Sequence, residues 1–249
     1  MKYSFLENNN KNISKKNFLE YDQFADDEEY DEETDDYDPE IDKLLEYKLN
    51  NVDKLIDILS NKSISSEEKE LYKKLNKDLL NEKDEFGYTA LMKACEGYNP
   101  RRVELLLKHD ADVNIKNRYG NTALMIACYY NYQKIVELLL KHDADINEKN
   151  KEGYTALLWA CTKNNQEIVE LLLKHDANVN AKDKEGYTAL MIACRNNNLE
   201  IVELLLEHGA EVNEPNAYGD TVLDTAIGLE NEEIVKLLKK YGAEASENF

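Results

Sequence analysis

The sequence has no apolar run approaching the roughly 18–20 residues needed to cross a bilayer, and 33% of its 249 residues are charged. With a mean hydropathy of −0.68, it reads as a soluble chain with no membrane partner. The N-terminus, Met1-Lys-Tyr-Ser-Phe-Leu, turns polar at Glu7-Asn-Asn-Asn, well short of the ~7–15 apolar residues of a secretory signal. The expected setting is therefore cytoplasmic and reducing, where cysteines stay thiols. Glycine is scarce, nine residues in all, and no glycine-rich loop able to cradle a phosphate is present. There is no His-Glu-x-x-His stretch for a zinc-bearing helix. Positive charge is short as well: 31 Lys and Arg against 51 Asp and Glu leave a net charge of −20. Such a surface repels nucleic acid.

The acid is unevenly spread. Residues 1–40 hold fourteen carboxylates and four lysines. Within them, residues 20–40, EYDQFADDEEYDEETDDYDPE, carry thirteen carboxylates and no Lys or Arg. A block of this kind cannot enter a core without stripping water from its charges, so a disordered acidic arm is expected over 1–40. Its complement is a basic surface.

What the chain does have is internal repetition. GYTALMKAC begins at Gly87, GNTALMIAC at Gly120, GYTALLWAC at Gly153, GYTALMIAC at Gly186 and GDTVLDTAI at Gly219, every step being 33 residues. Each block runs on into a second apolar stretch such as QKIVELLLKHDADIN. Within a unit, Thr122 is placed to cap a helix start. Leu124, Ala127 and Cys128 follow at i, i+3, i+4 spacing and form one apolar stripe. A second helix is expected near Gln133–His142, with Glu137 and Lys141 as an outward i,i+4 pair. Asp143 stands where Gly209 and Gly242 stand in later units, which predicts a left-handed residue closing the second helix. One such unit buries too little to fold alone, whereas stacked units share a core.

These features resemble the ankyrin repeat family. The carriers are the 33-residue period, Thr-Ala-Leu-Met-x-Ala at Thr122–Ala127, the glycine before it, and the IVELLL and ADVN stretches. The family's proline and histidine in the first motif are replaced here by Ala and by Met or Leu. The resemblance implies an all-α ankyrin-repeat solenoid with repeats near 84–116, 117–149, 150–182, 183–215 and 216–245. Residues 41–83 read as a helical N-terminal cap or degenerate repeat. The fifth repeat reads as a C-terminal cap, since Lys239 replaces a leucine and Asp224 an apolar residue.

The four cysteines (95, 128, 161, 194) and four histidines (109, 142, 175, 208) also recur every 33 residues. Stacked helices lie ~8–10 Å apart. A disulfide needs Cα atoms within about 7 Å, and zinc needs its ligands at about 2.0–2.3 Å. The cysteines are therefore expected as small buried residues and the histidines as surface residues at helix ends. No metal, cofactor or catalytic group is expected, because every cysteine shares one repeat environment.

The resemblance further implies binding through the hairpin tips and the exposed face of the first helices. The matching residues toward the tips are Phe86, Tyr88, Arg118, Tyr119, Asn121, Lys151, Tyr154, Lys184 and Tyr187. On the helices they are Tyr129, Tyr130, Thr162, Lys163, Arg195 and Asn196. Tyrosine and arginine are enriched at binding hot spots, yet these tyrosines also fit a role as cover for the seams between repeats. Trp159, aligned with Ile126 and Ile192, is expected to be half-buried packing. Lys116, Arg118, Lys149, Lys151, Lys182 and Lys184 form either a cationic stripe for the acidic arm or a mixed solvated edge. The function expected is a non-enzymatic, monomeric module binding an unidentified protein partner. The alternatives are a charge mimic whose acidic arm binds a basic protein, and a plain spacer.

Overall fold

In the computed structural model, residues 80–246 are described. The acidic arm at 1–40 and nearly all of the 41–83 cap lie outside the described residues. Ten helices in five pairs follow. The first helices of successive repeats are α1 (Ala90–Glu96), α3 (Ala123–Tyr129), α5 (Ala156–Thr162), α7 (Ala189–Arg195) and α9 (Val222–Gly228). The second helices are α2 (Pro100–Lys108), α4 (Gln133–Lys141), α6 (Gln166–Lys174), α8 (Leu199–Glu207) and α10 (Glu232–Lys240). Among the described residues the structure is otherwise turns, apart from one isolated antiparallel bridge between Lys182 and Thr188.

The helix boundaries have local causes. Thr89, Thr122, Thr155, Thr188 and Thr221 sit in extended backbone, and each Oγ1 accepts a bond from the N–H three residues on. One of the orphan donors of each helix start is thereby satisfied. Asn99, Asn165, Asn198 and Asn231 cap four of the second helices in the same way, while Tyr132 makes no side-chain cap bond. Each second helix closes on a left-handed residue: Asp110, Asp143, Asp176, Gly209 and Gly242. The apolar stripe of each helix turns inward, so Leu124, Ala127, Cys128, Ile135, Val136 and Leu139 are all fully buried. The four cysteines are free and buried. Burial raises their thiols well above the ordinary range, Cys194 to about 12.

Three kinds of tie join successive repeats. At the tips, the N–H groups of Arg118, Lys151, Lys184 and Ala217 donate to the carbonyls of Phe86, Tyr119, Glu152 and Glu185 at 2.8–3.0 Å. Beside these bonds the chains pass too closely for any side chain: a Cβ on Gly120 would lie 2.9 Å from the Lys151 nitrogen. Below the tips, the Oδ1 atoms of Asn81, Asn114, Asn147, Asn180 and Asn213 accept from backbone N–H groups of the following repeat at 2.7–2.8 Å. Lysines form a third ladder: the Lys83, Lys116 and Lys149 ammonium groups donate to the carbonyls of Lys116, Lys149 and Lys182 at 2.7–3.0 Å.

The last repeat ends differently. Asp224 is only 4% exposed. Its carboxylate accepts from the N–H and hydroxyl of Thr221 and from the N–H of Ser246, completing a capping box and pinning the C-terminal segment. The polar replacement that marks this repeat in the sequence is thus an inward-facing anchor.

Candidate binding surface

The first helices present aligned columns of residues, one rung per repeat. Residues 88, 121, 154, 187 and 220 follow the tip glycine, and residues 129, 162 and 195 end a first helix. On these columns six aromatic rings from three repeats touch in one string. Tyr154 stacks on Trp159 with centroids 4.3 Å apart, and Trp159 meets Tyr129 at right angles at 5.1 Å. Tyr129 meets Tyr130 edge-on at 5.0 Å, Tyr130 lies parallel to Tyr132 at 5.7 Å, and Tyr132 leans on Tyr98 at 4.6 Å. Such pairs contribute ~0.5–1.5 kcal/mol beyond burial. Cations lie over neighbouring rings: Lys163 is 3.9 Å from the centroid of Tyr129, Arg195 5.2 Å from Tyr187, Arg118 5.5 Å from Phe86 and Lys93 5.9 Å from Tyr88.

Phe86, Tyr88, Tyr119, Tyr129, Tyr130, Thr162, Tyr187 and Arg195 are half-buried, and Arg118, Lys151, Lys163, Lys184 and Asn196 are exposed. Two expected contact residues are not available. Asn121 is 2% exposed: its Oδ1 accepts from Asn150 Nδ2 at 2.8 Å and its N–H donates to Asn117 Oδ1, so it is a strut between tips. Tyr154 is 7% exposed because its ring lies on Trp159. Trp159 itself, expected to be half-buried, is 1% exposed, enclosed by Tyr154 and Tyr129. Thr162 directs its hydroxyl to the Leu158 carbonyl, and Asn196 its amide to the Cys161 carbonyl of the preceding repeat. Tyr98 and Tyr132, absent from the expected set, complete the string. The available signal was that each replaces an asparagine found at its column in other repeats.

The tip charges are largely engaged within the array. Besides the carbonyl ladder, Lys116 pairs with Glu148, Lys182 with Glu214 at 2.7 Å, and Lys184 with Glu152 at 3.7 Å. Arg118 Nη2 donates to the Glu85 carbonyl at 2.7 Å. The lysines therefore act as struts, and the edge is a mixed one.

Burial sets the electrostatics of the face. It raises Glu96 above the usual carboxylate range, only partly opposed by Lys93 and by the Tyr130 hydroxyl, which lies 3.5 Å from Glu96 Oε1. It raises Asp183 against the opposing N–H bonds of Tyr187 and Glu185. It takes the Tyr154 phenol to about 12, with Asp183 adding to the shift. Among the described residues no three His, Cys, Asp or Glu side chains converge to hold a metal ion, and no helix is long and apolar enough to cross a membrane.

A family profile described as Ankyrin repeats matches three times, over residues 49–150, 144–216 and 177–248. The chain belongs to the ankyrin repeat family. Ankyrin repeats are in general protein–protein interaction modules, and this array is tied laterally from repeat to repeat. The profile reaches back to residue 49, into the segment read from sequence as a degenerate first repeat. No curated protein matches the chain.

Proposed function

We propose that this ankyrin-repeat protein acts without chemistry of its own, holding a protein partner across the first helices and tips of repeats two to four. The observation that supports this reading is the aromatic string with its flanking cations: Tyr129, Tyr130, Lys163, Tyr187 and Arg195 lie on three consecutive helix pairs. Preformed aromatic and arginine anchors keep the ordering cost of binding low. The test begins with capture of a partner by the intact chain and its identification by mass spectrometry. Tyr129→Ala and Arg195→Ala are then expected to weaken that complex at least fivefold, while Lys174→Ala on a second helix leaves it unchanged. Equal affinity in all four proteins would reject the surface.

The thirteen carboxylates of residues 20–40 favour a second reading, in which the arm occupies a basic protein target. In that case loss of residues 1–40, and not Tyr129→Ala, abolishes capture, and affinity falls steeply with salt.

A further inference from the structure

One rung of the array breaks the local rules of all the others. In the turn between paired helices, the left-handed position is Asn in repeats two, three and four, and the next residue is Asn in every repeat but the second. Asn suits both places: its short amide tolerates φ near +60° and caps the second helix. Asn198 Nδ2 donates to Asn164 Oδ1 at 3.0 Å, and Asn231 Nδ2 donates to Asn197 Oδ1, so the amides also form a ladder of residues 34 apart. Tyr98 and Tyr132 are the same rung of that ladder, 34 residues apart, between repeats one and two. Tyr98 takes φ 43°, an unfavourable place for a bulky side chain, and Tyr132 leaves its helix without a side-chain cap. An amide rung has thus been rebuilt from two rings in contact at 4.6 Å, with Tyr130 stacked on the second. Departures from local consistency of this kind concentrate at functional sites.

The chemistry around the rung selects the guest. Tyr98 is 48% exposed, unlike the enclosed Trp159. Glu96, two residues before Tyr98 in the chain, accepts from the Tyr130 hydroxyl at 3.5 Å, and burial already disfavours its ionised form. Lys93, whose charge partly offsets the burial of Glu96, is itself held by Asp84 at 3.0 Å. Elsewhere on this face rings already hold cations, as Tyr129 holds Lys163 and Tyr187 holds Arg195. A ring cluster beside a carboxylate attracts a positively charged group by ring quadrupole and by charge together. The net charge of −20 draws basic partners toward it.

We infer that the corner formed by Tyr98, Tyr130 and Tyr132, with Glu96 as counter-charge, receives an arginine- or lysine-bearing segment of a protein partner. This goes beyond the surface proposed above and shares only Tyr130 with it; the variants that test it, at Tyr98, Tyr132 and Glu96, are not those that test that surface, so either can fail alone. The probe is a twelve-residue peptide of alternating Arg and Ser, titrated into the full chain by calorimetry, with a Glu–Ser peptide as control. Tyr98→Asn with Tyr132→Asn restores the amide rung and keeps the net charge, so the pull of the acidic arm is the same in both proteins. The double variant is expected to melt no lower than the parent and to bind the Arg–Ser peptide at least tenfold more weakly. Tyr98→Phe with Tyr132→Phe is expected to retain binding, and Glu96→Gln to weaken it several-fold. Unchanged affinity in the asparagine double variant would overturn the inference. So would a double variant that loses its fold, since the rings would then be packing alone.

Discussion

Gly153 and Gly219 occupy equivalent turns with almost the same positive φ, 84° and 86°, yet their surroundings differ. A methyl group on Gly153 would sit 2.9 Å from the Lys184 nitrogen and from the Asp183 Cα, whereas one on Gly219 meets nothing within 4 Å. Gly219→Ala should therefore cost about 1 kcal/mol, the penalty of a left-handed non-glycine residue. Gly153→Ala should cost several times that in urea unfolding, because backbone must move. Asp224 gives a second contrast. Burial works to raise its carboxyl, but the N–H bonds of Thr221 and Ser246 outweigh it and hold it below the usual value of 3.8. A folded-state value below the unfolded one stabilises the fold above the unfolded value, about pH 3.9, and that contribution fades as pH falls through the folded value. Asp224→Ala should cost about 1–3 kcal/mol at pH 7, with the gap to the parent narrowing as pH falls below the unfolded value of about 3.9. The thiols belong to this scale too: with all four buried and their ionisation suppressed, a thiol reagent should label none until the array opens.

At the scale of the element, the sequence showed the helices because each boundary has its own letter. Threonine starts the first helix and aspartate or glycine ends the second, so periodicity and caps agree; the asparagines that start the second helix in every pair but one were not read from the sequence. Contacts running between repeats were less legible. Lys116, Lys149 and Lys182 look like a free cationic stripe in one dimension. Only the stacking distance reveals that each of the first two ammonium groups reaches the carbonyl of the next lysine. Trp159, read as packing, is more deeply enclosed than expected, and Tyr154, read as a contact residue, is covered, for a related reason: spacing gives the face of a helix but not which neighbouring ring will cover it. The Tyr98–Tyr132 rung pairs two different columns, which aligning identical positions cannot show. Two substitutions separate core from ladder. Leu139→Ala, in a fully buried position, should cost about 2–5 kcal/mol through the cavity it leaves. Asn147→Ala removes the bonds to Asn178 N–H and to the Asp176 carbonyl. Those groups are exposed and regain water, so the loss should be about 1 kcal/mol.

Across the whole molecule, order is shared only between neighbours, so protection should follow position along the stack. Repeats two, three and four are each flanked by a neighbour on both sides. Among the described residues, nothing packs above Gly219, and Tyr218, Leu229 and Tyr241 of the last repeat are exposed. Amide hydrogen exchange should be slowest in α3, α5 and α7 and faster in α9 and α10, by at least tenfold. Uniform protection over all five repeats would mean that the array opens as one unit.

The bonded seams described above have a consequence for how such a chain can change its length. Each kind of strut recurs with the same offset from one repeat to the next, so a tandem copy of 183–215 would find ready-made docking edges on both sides. An insertion of some other length within a helix pair would misalign every strut it crossed. Slippage of the coding sequence by whole cassettes therefore lengthens the rod like a ruler gaining divisions, and a candidate ligand's footprint can be measured by counting how many divisions it needs.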